Sequence, residues 1–144
     1  MEYIKKNNIA NRAEHITAFL DEHNAFYSSY ERRSCFLIGI LIDGVLSAQQ
    51  QGLNSKPFLK QLKGFQLSLR DLKGLVPKIV EKLDQYDKRK YYENIISLLA
   101  ENFSNTEAEW KLSNVDINFY LLLGISMANK LYVDKTLEDD LDEW

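Results

Sequence analysis

Side chains able to do acid–base or metal chemistry are sparse in this sequence, and their spacing keeps them apart. His15 and His23 are eight residues apart on one expected helix, about two turns, so they do not share one metal ion. Each follows a glutamate, Glu14 or Glu22, and neighbouring helical residues point to different faces. The single cysteine, Cys35, rules out an internal disulfide and any multi-cysteine zinc site. Set in an apolar run, it reads as a buried, inert thiol. Asp43 interrupts the same run and is the acid that stands out, because a buried carboxylate needs a partner. Arg32 and Arg33 lie roughly a helix length away, which leaves a polar groove between helices or an interface to supply it. No glycine-rich phosphate loop and no activated serine or cysteine triad can be assembled. The expectation is a non-enzyme with no catalytic residue, no metal site and no cofactor.

Charge offers more. The net charge of −3 hides a strong sorting by position. Residues 56–90 carry ten cations, Lys56, Lys60, Lys63, Arg70, Lys73, Lys78, Lys82, Lys88, Arg89 and Lys90, against four acids, for a sum of +6. Residues 91–144 carry three cations against eleven acids, a sum of −8, and residues 1–55 sum to −1. A basic belt beside an acidic end points to a polyanion partner or to head-to-tail association. Lys56, Lys60 and Lys63 fall at i, i+4 and i+7, one face of a short helix, and Arg70 and Lys73 at i, i+3. Lys78, Lys82, Gln85 and Arg89 continue as a stripe opposite Ile79, Val80 and Leu83. Positioned cations without base-reading groups are what phosphate-backbone binding requires. Lysines on helix exteriors also serve solubility, which is the competing account.

The elements that would position these cations are helical. A chain of 144 residues with 45% apolar and 27% charged residues describes one ordinary soluble globular domain. Six glycines and two prolines leave little room for hairpins, and no strand alternation is sustained between turn signals. Asn11 is a good N-cap for a helix carrying Ile16, Phe19, Leu20, His23, Phe26 and Tyr27 at helical spacing. Tyr30 to Leu53, apolar on nearly all sides through its middle, reads as the central helix, with Gly39, Gly44 and Ala48 allowing close backbone approach. Gly52 closes it, and Pro57 opens a short helix through Lys63. Ser68 and Asp71 form an acidic variant of the capping box, Gly74 ends that piece and Pro77 begins another. A long helix runs from about Asp87 to Phe103, and Ser113 and Asp116 repeat the cap before Ile117 to Leu131. Phe36, Leu37, Ile40, Leu41 and Leu46 are expected beneath helices presenting Ile96, Leu99, Phe119 and Leu122. The fold class is therefore all-α, a compact bundle of about five to seven helices over 1–133, with an acidic tail over 134–144. The N-terminus lacks a signal-peptide core and the longest apolar run is too short to span a bilayer, so a cytoplasmic setting without membrane contact is expected.

The ordered features then carry a resemblance. Phe36-Leu37-Ile38-Gly39 with Val45, Gln49 and Gln50, then Lys56-Pro57-Phe58, Leu67 through Leu72, Tyr86, Trp110-Lys111-Leu112-Ser113, Phe119-Tyr120 and Leu123-Gly124 form that series. It resembles the C-terminal helical part of the large subunit in subtype I-B CRISPR effector complexes, over about residues 30–131. A chain of this length is similar to the small subunit of such a type I complex (Cascade), which in related systems is translated from inside the large-subunit gene. The resemblance implies a non-catalytic bundle whose copies stack within a guide-RNA-containing ribonucleoprotein, beside backbone and large subunits and other copies of itself. It implies help in holding target DNA and the displaced strand of the R-loop, while base pairing reads sequence. The ten belt residues as DNA contacts come from charge and spacing, not from the family. A helical protein-interaction module without nucleic-acid contact is the alternative, and a small hydrolase using Asp43 and the histidines a distant third.

Overall fold

A computed structural model describes residues 8–52, 57–105 and 111–131. The elements are α1 (Asn8–Glu22), α2 (Tyr30–Gly52), a 3-10 segment (Pro57–Phe65), α3 (Leu69–Gln85), α4 (Arg89–Asn105) and α5 (Asn114–Leu131). The fold is all-α, with no strand among the described residues.

The core is built around α2. Cys35 through Ile42 are wholly buried, and α5, α4 and α3 all pack on this helix, α5 most extensively. A helix enclosed on every side must be apolar all round, which is why its sequence shows no clean polar stripe. The α2–α5 approach is set by two glycines. A Cβ built on Gly39 would sit 2.9 Å from the Gly124 Cα and collide with the Leu121 carbonyl oxygen. One built on Gly124 would collide with the Phe36 carbonyl oxygen. Backbone meets backbone there, so only hydrogen fits at both positions.

This close approach fixes the phase of α5 and corrects one expectation. Ile117, Tyr120, Leu121, Gly124 and Ala128 face inward, whereas Phe119 and Leu122 remain 45% and 44% exposed. The α5 sequence is apolar on nearly every side, so periodicity alone could not choose its inner face. The expected α2 residues are buried, as is Leu99, and Ile96 is half-buried.

Three helix boundaries also differ. Asn11 lies inside α1, since residues 8–10 continue the helix toward the N-terminus. Helix α1 stops at Glu22, and His23 to Phe26 form a turn in which Phe26 and Tyr27 N–H both donate to the His23 carbonyl. Arg33, on α2, closes that end. Its guanidinium donates to the Leu20 and Tyr27 carbonyls at 3.4 and 2.9 Å, and to Asn24 and Asp21 side chains at 3.2 and 2.9 Å. The Leu20 carbonyl in the last turn of α1 thus gains a long-range cation instead of a glycine cap. Finally, α3 is one helix through both Gly74 and Pro77. Both residues face solvent, where water can serve the carbonyl that proline leaves without a donor, and the buried stripe Leu72, Leu75, Ile79, Leu83 keeps phase across them.

Candidate nucleic-acid interface

The local structure of α3 starts with its cap. Ser68 Oγ accepts from Asp71 N–H at 3.2 Å, and the Asp71 carboxylate accepts from Ser68 N–H at 3.0 Å, the reciprocal pair expected from the sequence. Lys63 adds its ammonium to the same carboxylate at 2.8 Å. Lys63, followed by the Ser68 contacts, holds the Asp71 carboxyl down at about 2. Lys63 reaches this position because Lys63, Gly64 and Phe65 all take left-handed backbone angles, with φ of 50°, 65° and 62°, which reverse the chain into α3.

The far end of α3 closes on Asp87, also left-handed with φ 58°. Lys88 N–H donates to the Leu83 carbonyl at 2.7 Å and Asp87 N–H to the Asp84 carbonyl at 3.1 Å, the two bonds of a Schellman closure. Aspartate stands where glycine is usual.

These two chain reversals divide the basic belt. Lys56 lies outside the described residues. Lys60 sits on the 3-10 part of the segment, with three residues per turn, and Lys63 in the left-handed turn that ends it, so i, i+4 and i+7 do not make one stripe there. Arg70 and Lys73 project from one flank of α3, and Lys78 and Lys82 from the other, on either side of the buried leucine stripe. Arg89 is not on the α3 stripe at all. It follows the Asp87 turn and joins Lys88 and Lys90 at the start of α4, a first turn without an acidic residue. Lys60, Lys63, Arg70, Lys73, Lys78, Arg89 and Lys90 are exposed, and Lys82 and Lys88 half-buried. The continuous belt of the sequence is therefore several neighbouring cationic patches.

The Lys78–Lys82 patch borders a cleft of ≈ 170 Å³ between the 3-10 segment and α3, lined by Gln49, Phe58, Gln61, Lys78, Glu81 and Lys82. Lys78 Nζ donates to Gln61 Oε1 and Lys82 Nζ to Gln85 Oε1, both at 3.3 Å. Neutral amides hold these ammonium groups only weakly, unlike the carboxylate that holds Lys63. Gln49, reaching in from α2, was not read as a site residue, because a glutamine carries no charge pattern to betray it.

The other side chains singled out in the sequence lie elsewhere. His15 and His23 are exposed, and His23 Nδ1 lies 2.9 Å from the Phe19 carbonyl oxygen at the end of α1. Asp43 is half-buried rather than enclosed. Cys35 is fully buried, and burial pushes its thiol up to about 12. Among the described residues, no three metal-ligating side chains converge, and no helix is long and apolar enough to cross a membrane. Of the eleven acids after residue 90, Glu93, Glu101 and Asp116 are described; the others, including the tail over 134–144, lie outside. Glu101 helps line an open groove of ≈ 550 Å³ between α1 and α4 with Glu14 and Asp21.

One surface was not anticipated. Val115, Phe119 and Leu122, at i, i+4 and i+7, form an exposed apolar row on α5, with Phe26 stacked edge-on to Phe119 at 6.0 Å. The sequence carried that signal in the spacing, but the same residues served equally well as a core face.

No curated protein and no solved structure matches the chain. A family model, CRISPR-associated protein TM1802 (cas_TM1802) C-terminal domain, matches residues 1–138, nearly its whole length. The chain belongs to this family of CRISPR-associated C-terminal domains.

Proposed function

We propose that this chain is a non-catalytic subunit of a CRISPR RNA-guided DNA-surveillance complex, equivalent to the small subunit of a subtype I-B-like type I assembly. It stacks in several copies beside the backbone and large subunits and steadies target DNA and the displaced strand through phosphate contacts. Family membership supports the CRISPR context. The observation that carries the nucleic-acid reading is the pair Lys78 and Lys82, held only by neutral amides beside an open cleft, with Arg89 and Lys90 exposed one turn of chain away. Cations not committed to internal carboxylates can exchange their counterions for phosphates at little structural cost. Guide pairing would supply sequence recognition, leaving this subunit backbone electrostatics and shape.

Contact between copies would be heterologous, an acidic surface of one meeting a cationic patch of the next. The groove holding Glu14, Asp21 and Glu101 is one acidic surface among the described residues, with Asp21 also paired to Arg33. Exposed ion pairs contribute only ~0–1 kcal/mol each, so apolar burial must supply most of the affinity.

The test is reversal of Lys78, Lys82 and Arg89 to Glu in the assembled complex. Capture of target DNA should weaken while helicity and incorporation persist; unchanged capture would remove these residues from the interface. A second reading, a protein-interaction module without nucleic-acid contact, is favoured by the exposed row Val115, Phe119, Leu122. It predicts that substituting this row blocks incorporation while charge reversal has no effect.

A further inference from the structure

The exposed apolar row of α5 is bordered on both sides. Val115, Phe119 and Leu122 remain 79%, 45% and 44% exposed. On one side Phe26, itself 44% exposed, packs edge-on against Phe119, and the Arg32 guanidinium lies 6.0 Å over the Tyr120 ring. On the other side is Asn118, which neighbours Val115 at i−3 and Leu122 at i+4. Its side chain bonds the Leu67 N–H and carbonyl at 3.0 and 2.8 Å, which sets the start of α3, with Arg70 exposed, beside the row. Neither Arg32 nor Arg70 is in ion-pair distance of a carboxylate among the described residues, and Arg32 donates to the Ser28 hydroxyl. Asp116, an acid on the same helix, is half-buried.

We infer that this row is the docking surface for the chain's own residues 132–144, which lie outside the described residues. Leu137, Leu141 and Trp144 recur there at i, i+4 and i+7, the spacing of Val115, Phe119 and Leu122. On a helical period each row is about 10 Å long, so an antiparallel pairing sets Leu137 against Leu122, Leu141 against Phe119 and Trp144 against Val115. Reach permits this. From Leu131, the end of α5, to a helix packed beside Leu122 is roughly 14 Å along the axis and 9 Å across, about 17 Å in all. The Cα steps from Leu131 to Leu137 cover up to about 20 Å. The acids between and beside the apolar residues, Glu138, Asp139, Asp140, Asp142 and Glu143, then come next to Arg32 and Arg70. Size decides between this chain and a second copy. Three side chains a side fall far short of the roughly 20–30 residues a side that hold two free proteins together. Within one chain the short connection supplies an effective concentration of about millimolar, so a contact this small can close. The inference is independent of the nucleic-acid reading, and it means that the free subunit keeps its apolar row covered.

The test reads the fluorescence of Trp144 in the full chain, isolated from that of Trp110 by subtracting the spectrum of Trp144→Phe. The expected result is blue-shifted emission that resists acrylamide quenching and does not change on dilution. Leu122→Asp should shift the emission to the red and open it to the quencher while circular dichroism stays the same. Should that variant fail to fold, Val115→Asp, at the most exposed position of the row, is expected to do the same. Emission from the unaltered chain as red and as readily quenched as in urea overturns the proposal. Protection that survives both substitutions places Trp144 on another surface and overturns it as well. Protection that is lost on dilution assigns the row to a second copy and overturns the contact within one chain.

Discussion

Replacing Gly124 or Gly39 by alanine tests the closest contact in the fold. In an ordinary helix interior either change would add up to about 1 kcal/mol of helix propensity. Here the new methyl group meets backbone. The Gly39 Cβ would lie 2.9 Å from the Gly124 Cα and nearer still to the Leu121 carbonyl oxygen, and no rotamer can relieve either contact. Carbon pairs rest at about 3.5–4.0 Å, so α2 and α5 would have to part by ~1 Å. A gap of that size forfeits a quarter to a half of each dispersion contact along the most extensive helix pair in the molecule. Overpacking typically costs about 1–3 kcal/mol, and with lost contacts set against gained propensity the net is about 2 kcal/mol of destabilisation. At an unfolding entropy of about 2.1 cal/mol/K per residue, a chain of 144 residues should melt about 7 °C lower. Gly74 is the internal control. It is exposed within α3 and nothing lies near its added methyl, so Gly74→Ala should raise the melting temperature by about 2 °C. The two clashing positions share one contact, so the double variant should cost less than the sum of the singles. Thermal unfolding followed by circular dichroism reads all four. If Gly39→Ala or Gly124→Ala stabilises as Gly74→Ala does, the helices do not cross backbone to backbone.

Leu41 is fully enclosed in α2, and Leu41→Ala should cost about 2–5 kcal/mol by urea titration; a near-neutral result would place that side of α2 against a partner. The Asp71 carboxyl, held from its ordinary 3.8 down to about 2, titrates lower in the folded chain than in the unfolded one. Its stabilising contribution is therefore complete above about pH 4 and is lost as pH falls toward 2, and Asp71→Asn should flatten stability across that window. Ser68→Ala should cost about 0.5–2 kcal/mol by removing the other half of the same cap. Cys35, buried and with its thiol pushed up to about 12, should react with a thiol reagent only on unfolding; rapid labelling of the native chain would contradict the burial of α2.

Helix identity was legible because each helix carries its own local signal. Ser68 with Asp71 names the start of α3, Ser113 the start of α5, and the all-round apolar run names the central α2. What failed was long-range. Arg33 ends α1 across a gap of 13 residues from Leu20, and no local pattern announces a cap supplied by the next helix. The inner face of α5 is chosen by Gly124 meeting Gly39, a contact that two glycines in separate helices do not declare in advance. Asp87 takes a left-handed conformation that glycine would have advertised, so the α3 stripe was read straight on into Arg89. The cationic residues were legible as a composition but not as a surface, because two chain reversals between Lys60 and Arg89 redistribute them.

The central claim is that cations of α3 and α4 neutralise phosphates in a CRISPR assembly, and its most direct test is the salt dependence of DNA capture. The slope of log K against log salt should be measured for the complex containing the unaltered subunit and for one containing Lys78, Lys82 and Arg89 changed to Glu. Each lost contact with single-stranded phosphate should lower the slope by ~0.7, about 2 for all three, with affinity converging at high salt. An identical slope in the two complexes would contradict the account.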